Sequence, residues 1–258
     1  MTLTLTPLRE IPLIRHGDIL ADILVKSLQA TNINLEDGDI LVLAQKIVSK
    51  AEGRMVNLAT VKPSERAIGL ATKSEKDPRV VELMLRESRE VLRVRVGTII
   101  VEHKLGFICA NAGIDHSNVS PLPEGDVVTE DYVLLLPENP DQSAAQIRDQ
   151  IKEKTGKQIG VMVIDSHGRA WRIGTVGVCI GLSGIPALVD ERGWKDLFGY
   201  TLRVTVVGVA DELAAAASLV MGQAAEGTPA IHVRGFPYPL REGSLQELIR
   251  PKEQDLFR

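Results

Sequence analysis

Ile159-Gly160-Val161-Met162-Val163-Ile164 runs directly into Asp165-Ser166-His167-Gly168-Arg169. A continuous apolar run of this length reads as a strand buried on both faces, ending where the polar residues begin. Further along, Val176 to Ile185 is glycine-rich and apolar, Thr201 to Val209 alternates and then runs apolar as another strand, and Ala230 to Val233 is a last short strand. Between these, Asp211 opens a helix, Glu212 to Met221, that stops at Gly222, with acids in its first turn to suit the helix dipole. Gly243 to Arg258 is polar and reads as peripheral.

Upstream, Asp141 or Ser143 caps a helix carrying Ala145, Ile147 and Ile151, which ends at Gly156. Asp18 caps a helix with apolar positions Ile19, Ile23, Leu24 and Leu28, and the turn Glu36-Asp37-Gly38-Asp39 launches a strand, Ile40 to Ala44. Gln45 to Arg54 is open to a helical or an extended reading. Pro63-Ser64 and Asp77-Pro78 start two short helices, the second with Val81, Met84, Leu85 and Leu92 as its stripe. Arg93 to Ala110 reads as a hairpin, with one arm from Val94 to Val101 and the other from Gly106 to Ala110, closing at Asn111-Ala112-Gly113-Ile114-Asp115. Pro121 to Pro140 is rich in proline and acids around a short strand near Tyr132 to Leu136. Strands and helices do not alternate strictly, and hairpin-like pairs occur. The expected fold is therefore α+β with mixed and antiparallel sheets, neither Rossmann nor P-loop. Residues 1–258 read as a single unit, with a composition dip near 120–140 as a subdomain boundary.

Hydrophobic residues make up 44 % of the chain and charged ones 25 %, an ordinary balance for a packed core. Aromatics are only 3 %, which leaves little for a base-stacking surface, and a net charge of −4 without blocks of like charge argues against a polyanion-binding tail. No nucleic-acid partner is expected. No apolar run approaches a membrane span, and the Thr/Leu-rich start from Met1 to Pro7 has no basic leader. Cys109 and Cys179 both sit in apolar runs without a Cys-x-x-Cys pair, which reads as buried reduced thiols of a cytoplasmic protein.

Familiar phosphate loops, dinucleotide fingerprints and His-Glu-x-x-His are missing, and Lys154-Thr155-Gly156 has no Ser-x-x-Lys partner. Polar clusters at the ends of apolar runs remain. Asn111 to Asn118 offers Asp115 as a hard anionic oxygen and Asn118 as an amide; the plainer alternative is an Asx turn closing a hairpin. Asp165 to Arg172 sets a carboxylate and the Ser166 hydroxyl at a strand exit, with Arg169 and Arg172 behind, suiting Mg²⁺ or Mn²⁺ and phosphate; the alternative is a capping Asp with surface arginines. His167 reads as a surface residue, since hard cations prefer oxygen. Met221 to Thr228, with Gly222, Gln223, Ala224, Ala225, Glu226 and Gly227, is a small-residue loop whose amides suit phosphate oxygens and whose Gln223 or Glu226 reaches a metal, or else simply a helix C-cap. Lys46, Lys50 and Arg54 recur every fourth residue, a cationic edge or a solvated basic face. Together these point to phosphoryl transfer or a phosphate-bearing substrate.

At the same residues the chain resembles the coenzyme F420-0:L-glutamate ligase (γ-glutamyl ligase) family. The resemblance runs through Pro12-Leu13-Ile14, Val48 to Arg54, Asn111-Ala112-Gly113-Ile114-Asp115-x-Ser117-Asn118, Asp165-Ser166-x-Gly168-Arg169-x-Trp171-Arg172, Val209 to Glu212 and Val233-Arg234-Gly235. It implies two intertwined α/β subdomains in a homodimer, GTP as co-substrate, two divalent ions, Mg²⁺ or Mn²⁺, and a stimulating K⁺. It implies metal ligands at Asp115, Asp165, Ser166 and Gln223, the last a position where some members carry an acid. Nucleotide contacts are implied at Ile11, Pro12, Leu13, Ile14, Gln45, Lys46, Lys50 and Asn118 and along the loop from Met221 to Thr228, although some members have Ser-Thr in place of Gln45-Lys46. Lys50 and Arg172 are candidates for charge compensation, and the C-terminal flavin domain of some bacterial relatives is not expected on this chain. The implied reaction joins L-glutamate to the lactyl carboxylate of F420-0 through an acyl phosphate, then adds further γ-linked glutamates. The rival readings are a ligase for another carboxylated acceptor, a metal-dependent phosphohydrolase, and a nucleotide-binding module without chemistry.

Overall fold

The computed structural model describes residues 2–120 and 131–255. In chain order its strands are β1 (Thr4–Pro7), β2 (Ile40–Ala44), β3 (Met55–Asn57), β4 (Ser88–Arg95), β5 (Thr98–His103), β6 (Ile108–Ala110), β7 (Tyr132–Leu134), β8 (Gly160–Gly168), β9 (Thr175–Ser183), β10 (Val189–Asp190), β11 (Val206–Val207) and β12 (Ala230–Arg234). The helices are α1 (Leu20–Ala30), α2 (Gln45–Ala51), α3 (Glu65–Ser74), α4 (Pro78–Arg86), α5 (Pro140–Thr155), α6 (Val209–Met221) and α7 (Leu245–Leu248). This is the expected α+β class with mixed sheets.

The main sheet has the order β1-β12-β2-β8-β9, antiparallel except for the parallel pair β2/β8 at its centre. Alternation along the central strands explains why their sequences are apolar throughout. Leu41, Leu43, Val161 and Val163 face the core beneath α1 and α5, while Ile40, Val42, Met162 and Ile164 face α6. All eight are essentially buried, and each such side chain contributes roughly 1.5–3 kcal/mol by leaving water. Gly177 lets α6 lie close on β9, because a Cβ there would stand 2.6 Å from the Ala214 carbonyl oxygen.

Between α2 and α5 the chain leaves this sheet to build a second lobe. The antiparallel meander β4-β5-β6, the pair β3/β7 and helices α3 and α4 enclose their own core around Leu58, Val81, Met84, Ile99, Val101 and Val133. Ser64 and Asp77 cap α3 and α4 through their side chains as expected. The boundary expected near 120–140 falls partly on residues 121–130, outside the described residues. So do residues 256–258 of the tail.

Several local expectations change. Asp18 does not cap α1; its carboxylate accepts from the Arg15 amide at 2.7 Å. Asn139 caps α5 instead of Asp141 or Ser143, because Asp141 accepts from the amides of Leu182 and Leu245, and Ser143 donates to Glu52. The Leu245 contact also makes the start of the final segment a docked one, with Leu245 buried. Leu92 belongs to strand β4, and the single arm expected from Val94 to Val101 breaks at Gly97, where φ is +78°. Within Thr201 to Val209 the only strand among the described residues is Val206–Val207; Thr201 makes an isolated bridge to Lys195, and Val204 is 86 % exposed. Asp211 lies inside the first turn of α6, accepting from the Cys179 amide at 2.9 Å. Both cysteines are buried and free.

Candidate active site

Parallel pairing of β2 and β8 decides what meets at one sheet edge. Ala44 and Ile164 are register partners, so Gln45-Lys46 and Asp165-Ser166 emerge side by side at the C-terminal ends of the two strands, where α/β sheets commonly bind ligands. β8 does not stop at Ile164 as its hydrophobicity suggested. It runs on to Gly168, because β9 continues the ladder from Asp165↔Val178 to Gly168↔Thr175. The loop after α6 reaches the same edge, since the Ala44 amide donates to the Pro229 carbonyl at 2.8 Å. Asp115 arrives from the second lobe, locked to Leu134 by reciprocal backbone bonds of 3.0 and 2.9 Å.

The side chains then join into one cluster. Gln45 Nε2 donates to Asp115 Oδ2 at 2.6 Å, and Gln45 Oε1 accepts from Ser49 at 2.8 Å. Lys46 Nζ stands 3.2 Å from the same aspartate oxygen and donates to the carbonyl and hydroxyl oxygens of Ser117. Asn118 donates to the Ala224 carbonyl at 2.9 Å. Ser166 Oγ donates to Gln223 Oε1 at 3.0 Å, and Gln223 Nε2 donates to Ser218. The segments around Asp115 and Asp165 and the loop from Met221 are thus brought together.

Their electrostatics are unbalanced. Burial raises the Asp115 pKa above its ordinary value; Lys46 opposes this, and Asp165 adds to it by repulsion. Burial and the neighbouring Lys46 charge both lower the pKa of Lys50, one turn further along α2. A further cation near the two carboxylates, and an anion near the two lysines, would each relieve an existing penalty. Among the described residues no three His, Cys, Asp or Glu side chains converge as a metal-holding group. The donor set is two carboxylates with the neutral oxygens of Ser166 and Gln223. That set fits a hard cation of the Mg²⁺ type, which commonly takes one or two carboxylates and completes its shell with water and substrate phosphate.

Asp115 is presented by an unusual turn. Asn111, Ala112 and Gly113 have φ of +53°, +53° and +64° in succession. Left-handed backbone is costly for Ala112, by about 1 kcal/mol or more. It is held by burial of Ala112 and by Asn111 Oδ1, which accepts from the Ile99 amide at 3.1 Å. Gly113 suits the turn, because a Cβ on its left-handed backbone would come within 2.7 Å of Leu136 Cδ1 and force that side chain to shift.

Other candidates sit differently. Arg54 leaves the expected cationic edge: α2 ends at Ala51, and the guanidinium is spent on the Leu136 carbonyl, Glu87 and Glu138. Arg172 lies on the exposed β8–β9 turn, outside the hydrogen-bonded cluster. Ile11 to Ile14 precede α1, with Ile14 buried in the core, Pro12 and Leu13 exposed, and the following loop tied to α2 by Gly17 N to Ala51 O at 2.9 Å. Within the loop after α6, the Ala224 amide donates to Glu226 Oε2 at 2.7 Å, while Thr228 donates to the Met221 carbonyl. His167 is no surface residue. Its side chain is only 11 % exposed, and Nε2 lies 3.0 Å from Asp165 Oδ2. The spacing Asp-x-His along one strand face was the available signal.

Comparison with known proteins adds a family. The model of the family described as F420-0:Gamma-glutamyl ligase matches residues 9–235. The coenzyme F420:L-glutamate ligase of Methanothermobacter thermautotrophicus is 44 % identical over 260 residues, covering 100 % of both chains. The protein of that name from Methanocaldococcus jannaschii is 47 % identical over 224 residues, covering 87 % of this chain and 86 % of its own. That from Archaeoglobus fulgidus is 43 % identical over 258 residues, covering 100 % and 97 %.

Proposed function

The chain belongs to the F420-0:γ-glutamyl ligase family, and from that premise we propose that it joins L-glutamate to the lactyl carboxylate of F420-0 at the expense of GTP. The observation that carries this reading is the convergence, at the C-terminal edge of β2 and β8, of two carboxylates, two neutral oxygen donors and two lysines. Asp115, Asp165, Ser166 and Gln223 would hold divalent cations, Mg²⁺ or Mn²⁺, and K⁺ stimulates the reaction. Bound there, the cations neutralise charge on the transferring phosphate.

In the first step a carboxylate oxygen of the acceptor attacks the γ-phosphorus, the bond to the β-phosphate bridging oxygen breaks, and GDP leaves. In the second, the glutamate amine attacks the acyl-phosphate carbonyl, inorganic phosphate departs, and the amine loses a proton as the amide forms. Further rounds use the γ-carboxylate of the glutamate already added. Neither step needs a covalent enzyme intermediate, so the chain's contribution is positioning and charge compensation. Lys46 and Lys50 offset phosphate charge from the first and last turns of α2, and Arg172 is a further candidate. Ile11 to Ile14, Gln45, Asn118 and the loop from Met221 to Thr228 contact the nucleotide, the small loop residues allowing close backbone approach.

The working unit is a homodimer of a cytoplasmic enzyme. Support comes from large apolar side chains left in water, among them Ile173, Leu197, Phe198 and Val204, the kind of side chain that an interface would cover. Among the described residues no helix is long and apolar enough to cross a membrane. The test of acceptor identity is mass spectrometry of products from F420-0 and from other phosphorylated carboxylic acids, each with GTP, Mn²⁺ and L-glutamate. Glutamylation of F420-0 in preference to the others is expected; no product from F420-0 sinks the assignment.

A further inference from the structure

We propose that His167 is a positioning residue that fixes the carboxylate of Asp165 for cation binding and is itself gripped by the second lobe. This rests on the reading of Asp165 as a cation ligand. His167 and Asp165 lie two residues apart on β8, so their side chains share a face. The imidazole Nε2 meets Asp165 Oδ2 at 3.0 Å, and the two side chains are 11 % and 13 % exposed. A donor held on one oxygen fixes the rotation of the carboxylate and leaves the other oxygen to face a ligand, as outer-shell partners of metal ligands do.

The imidazole has little freedom to turn away. Phe107, in the turn between β5 and β6, packs on it with ring centroids 5.1 Å apart and planes at 53°. Phe107 in turn stacks on His103 at 5.2 Å and 7°. His103 is buried and anchored, its Nδ1 accepting from the Leu105 amide at 3.1 Å. A line of three rings therefore runs from the second lobe to a carboxylate at the edge of the main sheet. With Nε2 pointing at the carboxylate, the tautomer protonated at Nε2 makes His167 the donor.

The test uses the full chain without nucleotide, and Mn²⁺ alone as the probe, its binding followed by electron paramagnetic resonance and water proton relaxation. His167→Phe keeps a ring against Phe107 and removes the donor, whereas His167→Gln restores an N–H near the position of Nε2. Mn²⁺ affinity should fall about tenfold in His167→Phe and return most of the way in His167→Gln, with thermal midpoints of both close to that of the unaltered chain. Unchanged Mn²⁺ binding in His167→Phe overturns the inference, as does an equal loss in both variants. Asp165→Ala separates the premise from the inference. If it loses Mn²⁺ while His167→Phe does not, only the positioning role is wrong; if it binds Mn²⁺ normally, or the unaltered chain shows no saturable binding, the cation site itself falls.

Discussion

Lys46 Nζ stands 3.2 Å from Asp115 Oδ2, bridging the first turn of α2 and the segment that follows the left-handed turn of the second lobe. The pair is only partly exposed, 26 % on each side, and it compensates a carboxylate that burial and Asp165 both push toward its neutral form. The same contact therefore spans the site residues of both lobes.

Asp115 should cost stability where it is ionised. Its folded pKa is raised, so between the ordinary carboxylate value and the raised one the folded chain binds more protons than the unfolded chain. Its contribution is present at low pH and lost as pH rises through that window. Asp115→Asn keeps an acceptor for Gln45 and removes the charge. Calorimetry at pH 7 should show a thermal midpoint equal to the parent's or higher by about 2 °C, while ligase turnover falls by roughly a hundredfold or more. A midpoint many degrees lower would make Asp115 a structural residue.

Lys46→Met removes a cation from the phosphate side of the cluster. Nucleotide affinity measured by calorimetric titration should weaken about tenfold, the scale of one charge-assisted hydrogen bond. Mn²⁺ affinity without nucleotide should hold or improve, since Asp115 loses a competing cation. Parallel loss of both would contradict the assignment of Lys46 to the anion.

Gly113→Ala forces a side chain into left-handed backbone and onto Leu136. Urea unfolding should report a loss of about 1–3 kcal/mol, and Mn²⁺ binding should weaken because the same turn presents Asp115. A variant as stable as its parent would show that the turn carries no constraint.

At the opposite end of β2, Asp39 is 2 % exposed and held by Arg234 in a two-pronged bond of 2.9 and 2.7 Å, with His232 at 2.8 Å. Burial opposes its charge, but the bonds from Arg234 and the neighbouring His232 ring hold its pKa well below the usual carboxylate range. The depressed value means this contribution is complete above the ordinary carboxylate pKa and lost as pH falls through the folded one. Asp39→Asn should destabilise by about 1–3 kcal/mol at pH 7, the scale of hydrogen bonds to a charged group, because Arg234 is partly exposed and keeps Glu36 as a partner. It should also flatten the acid limb of stability against pH, measured by urea midpoints from pH 7 to 3. An unchanged acid limb would exclude Asp39 as its source.

The sequence made the main sheet legible wherever burial on two faces enforced an apolar run, as in Ile40 to Ala44 and Ile159 to Ile164. It also made legible the capped starts at Ser64 and Asp77, and the glycine stops at Gly156 and Gly222. The continuation of β8 through Asp165 to Gly168 was hidden, because ladder bonds from β9 stabilise it and hydrophobicity does not report them. Gln45 to Ala51 stayed ambiguous because its cations fit either period; packing under the first lobe's core decides for a helix, burying Ile47 and Val48. At the site, the oxygen donors could be picked out as polar ends of apolar runs. Neither the diversion of Arg54 to Glu87 and Glu138 nor the burial of His167 against Phe107 could be, since both depend on partners distant in sequence.

The most direct measurement is phosphate release from GTP by the purified chain with Mn²⁺ and F420-0, with and without L-glutamate, repeated for Asp165→Ala. Sustained release should require glutamate, should match amide product mole for mole, and should vanish in Asp165→Ala with the fold retained. Equal release in the absence of glutamate, or full activity in Asp165→Ala, would contradict a ligase built on cations gathered between Asp115 and Asp165.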